Sequence, residues 1–144
     1  MLLYCEYGLR IGDNASVFML TACCWRMSKL LLLDVKQARD HHVREADAAE
    51  QAHMDDEINV RLFWSCYVLD PFVGSGVDSN LCWPRPLSDV LFPSDDHEFS
   101  CRTPGPAVTS SDEFSVSCGL RAQFCRIVGL RTQALRHENH PHPI

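Results

Sequence analysis

The stretch INVRLFWSCYVLDPFV, residues 58–73, decides how this chain folds. Ile58, Leu62, Cys66, Leu69 and Val73 recur at helical spacing, and Phe63, Trp64 and Tyr67 widen the apolar stripe. The acids Asp55, Asp56 and Glu57 suit the positive end of a helix dipole, which predicts a helix starting near Met54 to Glu57. Pro71 lacks an N–H and crowds the preceding turn, so it should kink or end that helix, and Gly74-Ser75-Gly76 completes the stop.

Upstream, residues 34–57 hold eight acids against three bases, so this stretch carries -5 of the chain's formal net charge of -6. With almost no large apolar residues, it is expected to be a solvated linker or an exposed helix outside the core. Before it, Ala15 to Leu33 has 14 apolar residues in 19, interrupted by Arg26 and Lys29. The uncharged part is well short of the ~20 residues that a membrane span requires, which predicts a central helix buried among other helices. Asp13, Asn14 and Ser16 offer acceptors for its first free N–H groups. The segment Leu2 to Leu9 is expected to form a short helix ended by Gly8 and Gly12. The first ten residues, MLLYCEYGLR, lack the basic start and cleavage site of a secretory signal.

Downstream, residues 77–110 are rich in Pro, Ser and Asp and should be mostly irregular, with one helical turn near Leu87 to Leu91. A last helix is expected over 111–136. Phe114, Leu120, Phe124, Ile127 and Val128, with Cys118 and Cys125, give it an apolar face. The bases Arg121, Arg126, Arg131 and Arg136 spiral around it, five apart. Residues 137–144, HENHPHPI, are expected to form a disordered tail. No sustained period of two marks a strand. The expected fold is therefore all-α: an irregular multi-helix bundle over residues 1–136.

A chain of 144 residues that is 46% apolar can bury roughly 68–70% of its unfolded surface without disulfides or a metal. Its acidic balance speaks against a large phosphate-binding surface. The eight cysteines include no C-x-x-C pair, and most stand alone in apolar stretches, where free cysteine packs as a small hydrophobe. The Gly74-Ser75-Gly76 turn lacks the Lys-Ser or Lys-Thr of a phosphate loop, and no G-x-S-x-G elbow occurs. The carboxylates Asp95-Asp96 and Asp55-Asp56-Glu57 lack the alternation of a calcium loop, so capping and solvation account for both. No catalytic, cofactor-binding or metal site is expected. The informative charges are those inside apolar helices. A buried guanidinium needs a partner, so Arg26 or Arg61 is expected to pair with Asp70 or Glu6.

The block RLFWSCYVLDPFVGSG followed by WPRPLSDVLFPSDDHEF resembles the middle homology region of fungal zinc-cluster transcription factors. The matching positions include Arg61, Phe63, Trp64, Tyr67, Asp70, Arg85 and Pro86. Upstream, the paired helical segments, the Gly12-Asp13 turn and Arg26-Met27 agree with the same pattern. Pro71 departs from it, standing where the family usually has a basic residue. The six-cysteine binuclear zinc cluster is missing, so zinc and DNA contact belong only to a part these residues do not contain.

The resemblance implies a regulatory segment of a nuclear transcription factor, acting in regulation of DNA-templated transcription without being an enzyme, in which Arg26, Arg61, Trp64 and their companions are mainly structural. It further implies that the chain is an incomplete portion of a larger helical domain. The partners open to it are other transcription proteins or a second copy of itself, with no membrane. The alternative is a stand-alone helical protein-interaction module without DNA binding.

Overall fold

The structure, a computed structural model, describes residues 1–33, 46–74, 77–83, 90–103, 108–109 and 119–139. Among the described residues five α-helices carry the fold: α1 Leu2–Ile11, α2 Asn14–Leu30, α3 Ala46–Val73, α4 Asp96–Ser100 and α5 Leu120–Asn139. A 3₁₀ turn at Asp78–Asn80 and one antiparallel bridge pair, Leu91 with Thr109, complete it. Among the described residues there is no strand, and the fold is all-α as expected. No described helix is long and apolar enough to cross a membrane.

Local chemistry sets the helix ends. Helix α1 stops at Gly12, whose backbone takes the left-handed conformation (φ 80°) that glycine adopts without strain. Asp13 then caps α2: its Oδ1 accepts from the Ser16 amide at 3.2 Å, and Ser16, through its side chain first and its amide second, holds the Asp13 carboxyl below its ordinary pKa. Gly8 does not end α1 but sits buried inside it, where α1 crosses α2. A Cβ there would collide with the Val17 side chain. Gly8→Ala is therefore expected to force the helices apart and cost about 1–3 kcal/mol in urea unfolding, despite alanine's better helix propensity. An unchanged midpoint would show that the crossing relaxes freely.

Helix α3 divides the core in two. Cys66, with Leu69 and Val73, faces Cys5 of α1 and Val17 and Cys24 of α2. Phe63, Trp64 and Tyr67 face the second cluster, with Trp83, Val90 and Phe92 of the irregular segment and Ala122 and Cys125 of α5. The width of the stripe read from the sequence thus follows from one helix serving two clusters.

Several expectations need correction. Helix α2 is not buried on several sides: it buries only Val17, Thr21, Cys24 and Ser28, and leaves Phe18, Met19, Met27 and Leu30 exposed. One stripe at i, i+4, i+7 and i+11 is all that α1 and α3 cover. Helix α3 starts at Ala46, not near Met54, because the Ala, Glu and Gln residues after Ala46 are strong helix formers whatever their charge. Of the two readings of 34–57, the linker fails for 46–57 and the helix holds there, while 34–45 lie outside the described residues.

Pro71 does not stop α3 at once: the helix continues through it to Val73, and the Gly74 amide bonds to the Asp70 carbonyl at 2.8 Å. The irregular segment holds α4, capped by Asp95 in a reciprocal box with Glu98. The turn expected at Leu87 to Leu91 falls largely on residues outside the described set, and its last residue, Leu91, is extended. Helix α5 runs through Asn139, so His137 is helical and not in a tail; the expected start at Ser111 lies outside the described residues. Its buried face is Ala122, Cys125, Val128 and Thr132, with Leu120, Phe124 and Ile127 exposed.

Candidate functional site

Three side chains on α3 strap the irregular segment onto that helix. At its C-terminal end, buried Asp70 accepts the backbone N–H of Cys82 at 2.9 Å and of Trp83 at 3.1 Å on Oδ2. Two turns earlier, the indole Nε1 of Trp64 donates to the Leu91 carbonyl at 2.6 Å, and its ring stacks on Phe92 at 4.7 Å. Near the middle of the helix, Arg61 donates Nη2 to the Ser94 carbonyl at 3.0 Å and Nη1 to Asp96 at 2.8 Å. Cys82 and Trp83, then Leu91, then Ser94 and Asp96 thus meet α3 in the reverse of its own direction, held at successive rungs by Asp70, Trp64 and Arg61.

Arg61 is the most elaborate rung. Its side chain is only 15% exposed and pairs through Nε with Glu57, one turn back, at 2.7 Å. Glu57 also accepts the Ser94 amide at 3.0 Å, and the Phe99 ring lies 4.0 Å below the guanidinium. Arg121 of α5 reaches the same Asp96 at 2.6 Å, so two cations hold that carboxyl below its ordinary pKa, Arg61 foremost. Arg126 of α5 lies over Phe92 at 5.1 Å.

The sequence-selected residues are thereby placed. Phe63 is fully buried, edge-on to Trp64 and Trp83. Tyr67 stacks on Phe63 and lies edge-on to Trp64. Arg85 and Pro86 lie outside the described residues. Arg26 is exposed on α2, where its charge opposes the rise of the Cys82 pKa, so it needs no buried partner. The expected pairing of Arg26 or Arg61 with Asp70 or Glu6 does not occur. Arg61 goes to Glu57 and Asp96, Glu6 to Arg10 at 2.7 Å, and Asp70 holds backbone amides. Arg61 and Glu6 thus pair with neighbours on their own helix or with α4, and Asp70 with the backbone of residues 82–83. Asp96 belongs to the stretch that carries the resemblance, whereas Glu57 and Arg121 were missed as site residues; the i, i+4 spacing of Glu57 and Arg61 was the signal available.

No family model, curated protein or solved structure matches this chain.

The thiols point away from nucleophilic chemistry where they are buried. Burial pushes Cys66 and Cys125 up to about 12 and Cys82 to about 11, and it raises Cys24 as well. Cys5, Cys24, Cys66 and Cys125 pack in the core, as the sequence predicted, whereas Cys23 and Cys101 are exposed; Cys118 lies outside the described residues. Cys101 Sγ lies 3.8 Å from His97 Nε2, but both stand in solvent, His97 on α4 and Cys101 just past its end. Among the described residues no three His, Cys, Asp or Glu side chains are grouped to hold a metal ion.

Raised thiol values set a pH dependence. The unfolded thiols ionise near 9.0 while the folded ones wait until about 11 to 12. Above pH 9 only the unfolded state sheds these protons, so stability is full below that value and falls as pH rises through 11 to 12. Urea midpoints should drop progressively over that window. At neutral pH an alkylating reagent is expected to modify Cys23 and Cys101 at once and Cys66 and Cys125 only on unfolding. Rapid native-state labelling of Cys66 would contradict this.

Proposed function

We propose that the chain is a non-catalytic regulatory segment of the kind found in fungal zinc-cluster transcription factors, acting in the nucleus in regulation of DNA-templated transcription. DNA contact and zinc would belong to a cluster outside these residues. One observation supports the reading above others: the positions that carry the resemblance, Arg61, Phe63, Trp64, Tyr67 and Asp70, act as strap and core, which is the structural role the resemblance implies. They build a scaffold and leave its outer faces to partners.

The test is to tether the full chain to an unrelated DNA-binding domain at a reporter in a fungal nucleus. Transcription is expected to move several-fold, up or down, relative to the DNA-binding domain alone. A fusion present at equal level that leaves the reporter unchanged would overturn the proposal. The exposed apolar residues of α1 and α2 favour a second reading, a stand-alone helical interaction module. An in-frame cysteine cluster encoded upstream of Met1 supports the first reading, and a verified start at Met1 without one supports the second.

A further inference from the structure

Three of the buried thiols come from three different helices and meet in one place. Cys5 of α1, Cys24 of α2 and Cys66 of α3 pack together in one core cluster. Cys24 joins the other two. Burial foremost and then Cys5 raise its pKa, while burial foremost and then Cys24 raise that of Cys66, an influence that fades with distance and so marks neighbouring sulfurs.

Their surroundings differ. Cys5 has no exposed surface, and its Sγ accepts from Thr21 Oγ1 at 3.9 Å. Cys24 and Cys66 are 6% and 7% exposed and edge a groove of about 440 Å³, lined otherwise by residues such as Met1, Leu2, Met27 and Leu62. A molecule of a few atoms that enters this groove meets these two sulfurs and not Cys5.

We infer that Cys24 and Cys66 form a site of oxidative modification, closing to a disulfide between α2 and α3 when hydrogen peroxide enters the groove. One sulfur of the pair attacks the peroxide: the O–O bond breaks, the sulfur keeps one oxygen as a sulfenic acid, and the other leaves as water. The second sulfur then displaces that oxygen, which leaves as a second water as the S–S bond forms. The two thiols lose two electrons and two protons, and the peroxide takes up both.

Burial acts on the rate and on the product in opposite senses. The thiolate is the attacking form, and a Cys66 thiol pushed up to about 12 supplies little of it at neutral pH, so the link forms slowly. The disulfide carries no charge, so the apolar surroundings do not oppose it, and the same burial shields it from a reductant. The pair thus registers sustained oxidant and ignores brief pulses. Its link joins residues 42 positions apart, which restricts the unfolded chain and ties α2 to α3. This inference stands whether or not the chain acts in transcription.

The test uses the full chain with Cys23→Ser and Cys101→Ser, which removes the two thiols that are exposed among the described residues. After hours in hydrogen peroxide at neutral pH, the remaining thiols are blocked and the chain is digested without reductant. Mass spectrometry is expected to find the peptides of Cys24 and Cys66 joined, two hydrogens lighter than their sum. The oxidised chain is expected to melt at least about 5 °C above the reduced one, and dithiothreitol to reverse the rise. Adding Cys66→Ser should abolish that rise, and adding Cys5→Ser should keep it. The mapping is made with all three core thiols in place, so it does not depend on whether these last variants fold. Cys24 and Cys66 left unlinked, a Cys5–Cys24 link in their stead, a link formed only in urea, or a linked chain that melts no higher would each overturn the inference.

Discussion

Replacing Arg61 by alanine is expected to destabilise the protein by about 3–5 kcal/mol, because it removes one member of a largely buried ion pair and strands the other. Glu57 would remain almost wholly buried with a full charge and only the Ser94 amide as partner. The Ser94 carbonyl would lose a donor and the Phe99 ring its cation. Lysine supplies the charge but not the fork that reaches Glu57, Ser94 and Asp96 together, so Arg61→Lys should recover less than half the loss. The double change Arg61→Leu with Glu57→Leu should cost less than Arg61→Ala alone, since no buried charge is left without its mate. A loss under about 1 kcal/mol in urea unfolding would class the pair with ordinary surface bridges and refute its role as a rung.

The same rung weakens in acid. The carboxyl of Asp96 has its pKa lowered by Arg61 and Arg121, so the contribution is intact above its ordinary value of 3.8 and is lost as pH falls through the lower folded value. In Arg61→Ala that folded value should move back up, which a carboxyl titration by NMR would register.

Much of this architecture was legible in the residues because helix signals are local. The spacing from Ile58 to Val73 names the face of α3, and Asp13 before Ser16 marks the start of α2 by a contact three residues long. The strap was not legible, because its bonds join residues 12 to 35 positions apart and nothing near Arg61 announces that Asp96 will receive it. Composition also misled at two points. Counting apolar residues predicted a buried α2, but whether Met19 or Leu30 is covered depends on how many neighbours arrive, and α1 and α3 cover one stripe. Counting charge left a linker or an exposed helix open up to Glu57 and put the start of the next helix near Met54, although helix propensity from Ala46 onward outweighs like-charge repulsion that water screens. The candidate residues Arg61, Phe63, Trp64, Tyr67 and Asp70 were identifiable individually. Their common function as rungs and packing for residues 82–83 and 90–96 required the fold.

At the other end of the strap, Asp70→Ala is expected to cost about 2–4 kcal/mol by leaving the buried amides of Cys82 and Trp83 without their acceptor. Asp70 is 3% exposed, so water cannot readily replace the carboxylate. Trp83 depends on this anchor for its place: its ring stands edge-on to Phe63 at 5.1 Å and to Trp25 at 6.2 Å, with Lys29 Nζ 4.8 Å from its centre. Asparagine keeps one acceptor oxygen and should lose about half as much. Between the two end rungs lies Trp64, whose bond to Leu91 and stacking on Phe92 do not involve either Arg61 or Asp70. Each end is therefore expected to open by itself. Asp70→Ala should speed hydrogen exchange at the Cys82 and Trp83 amides and leave the Ser94 amide protected, and Arg61→Ala should do the reverse. Loss of protection at both ends in either variant would mean that the strap opens as one cooperative unit, with Trp64 too weak to divide it.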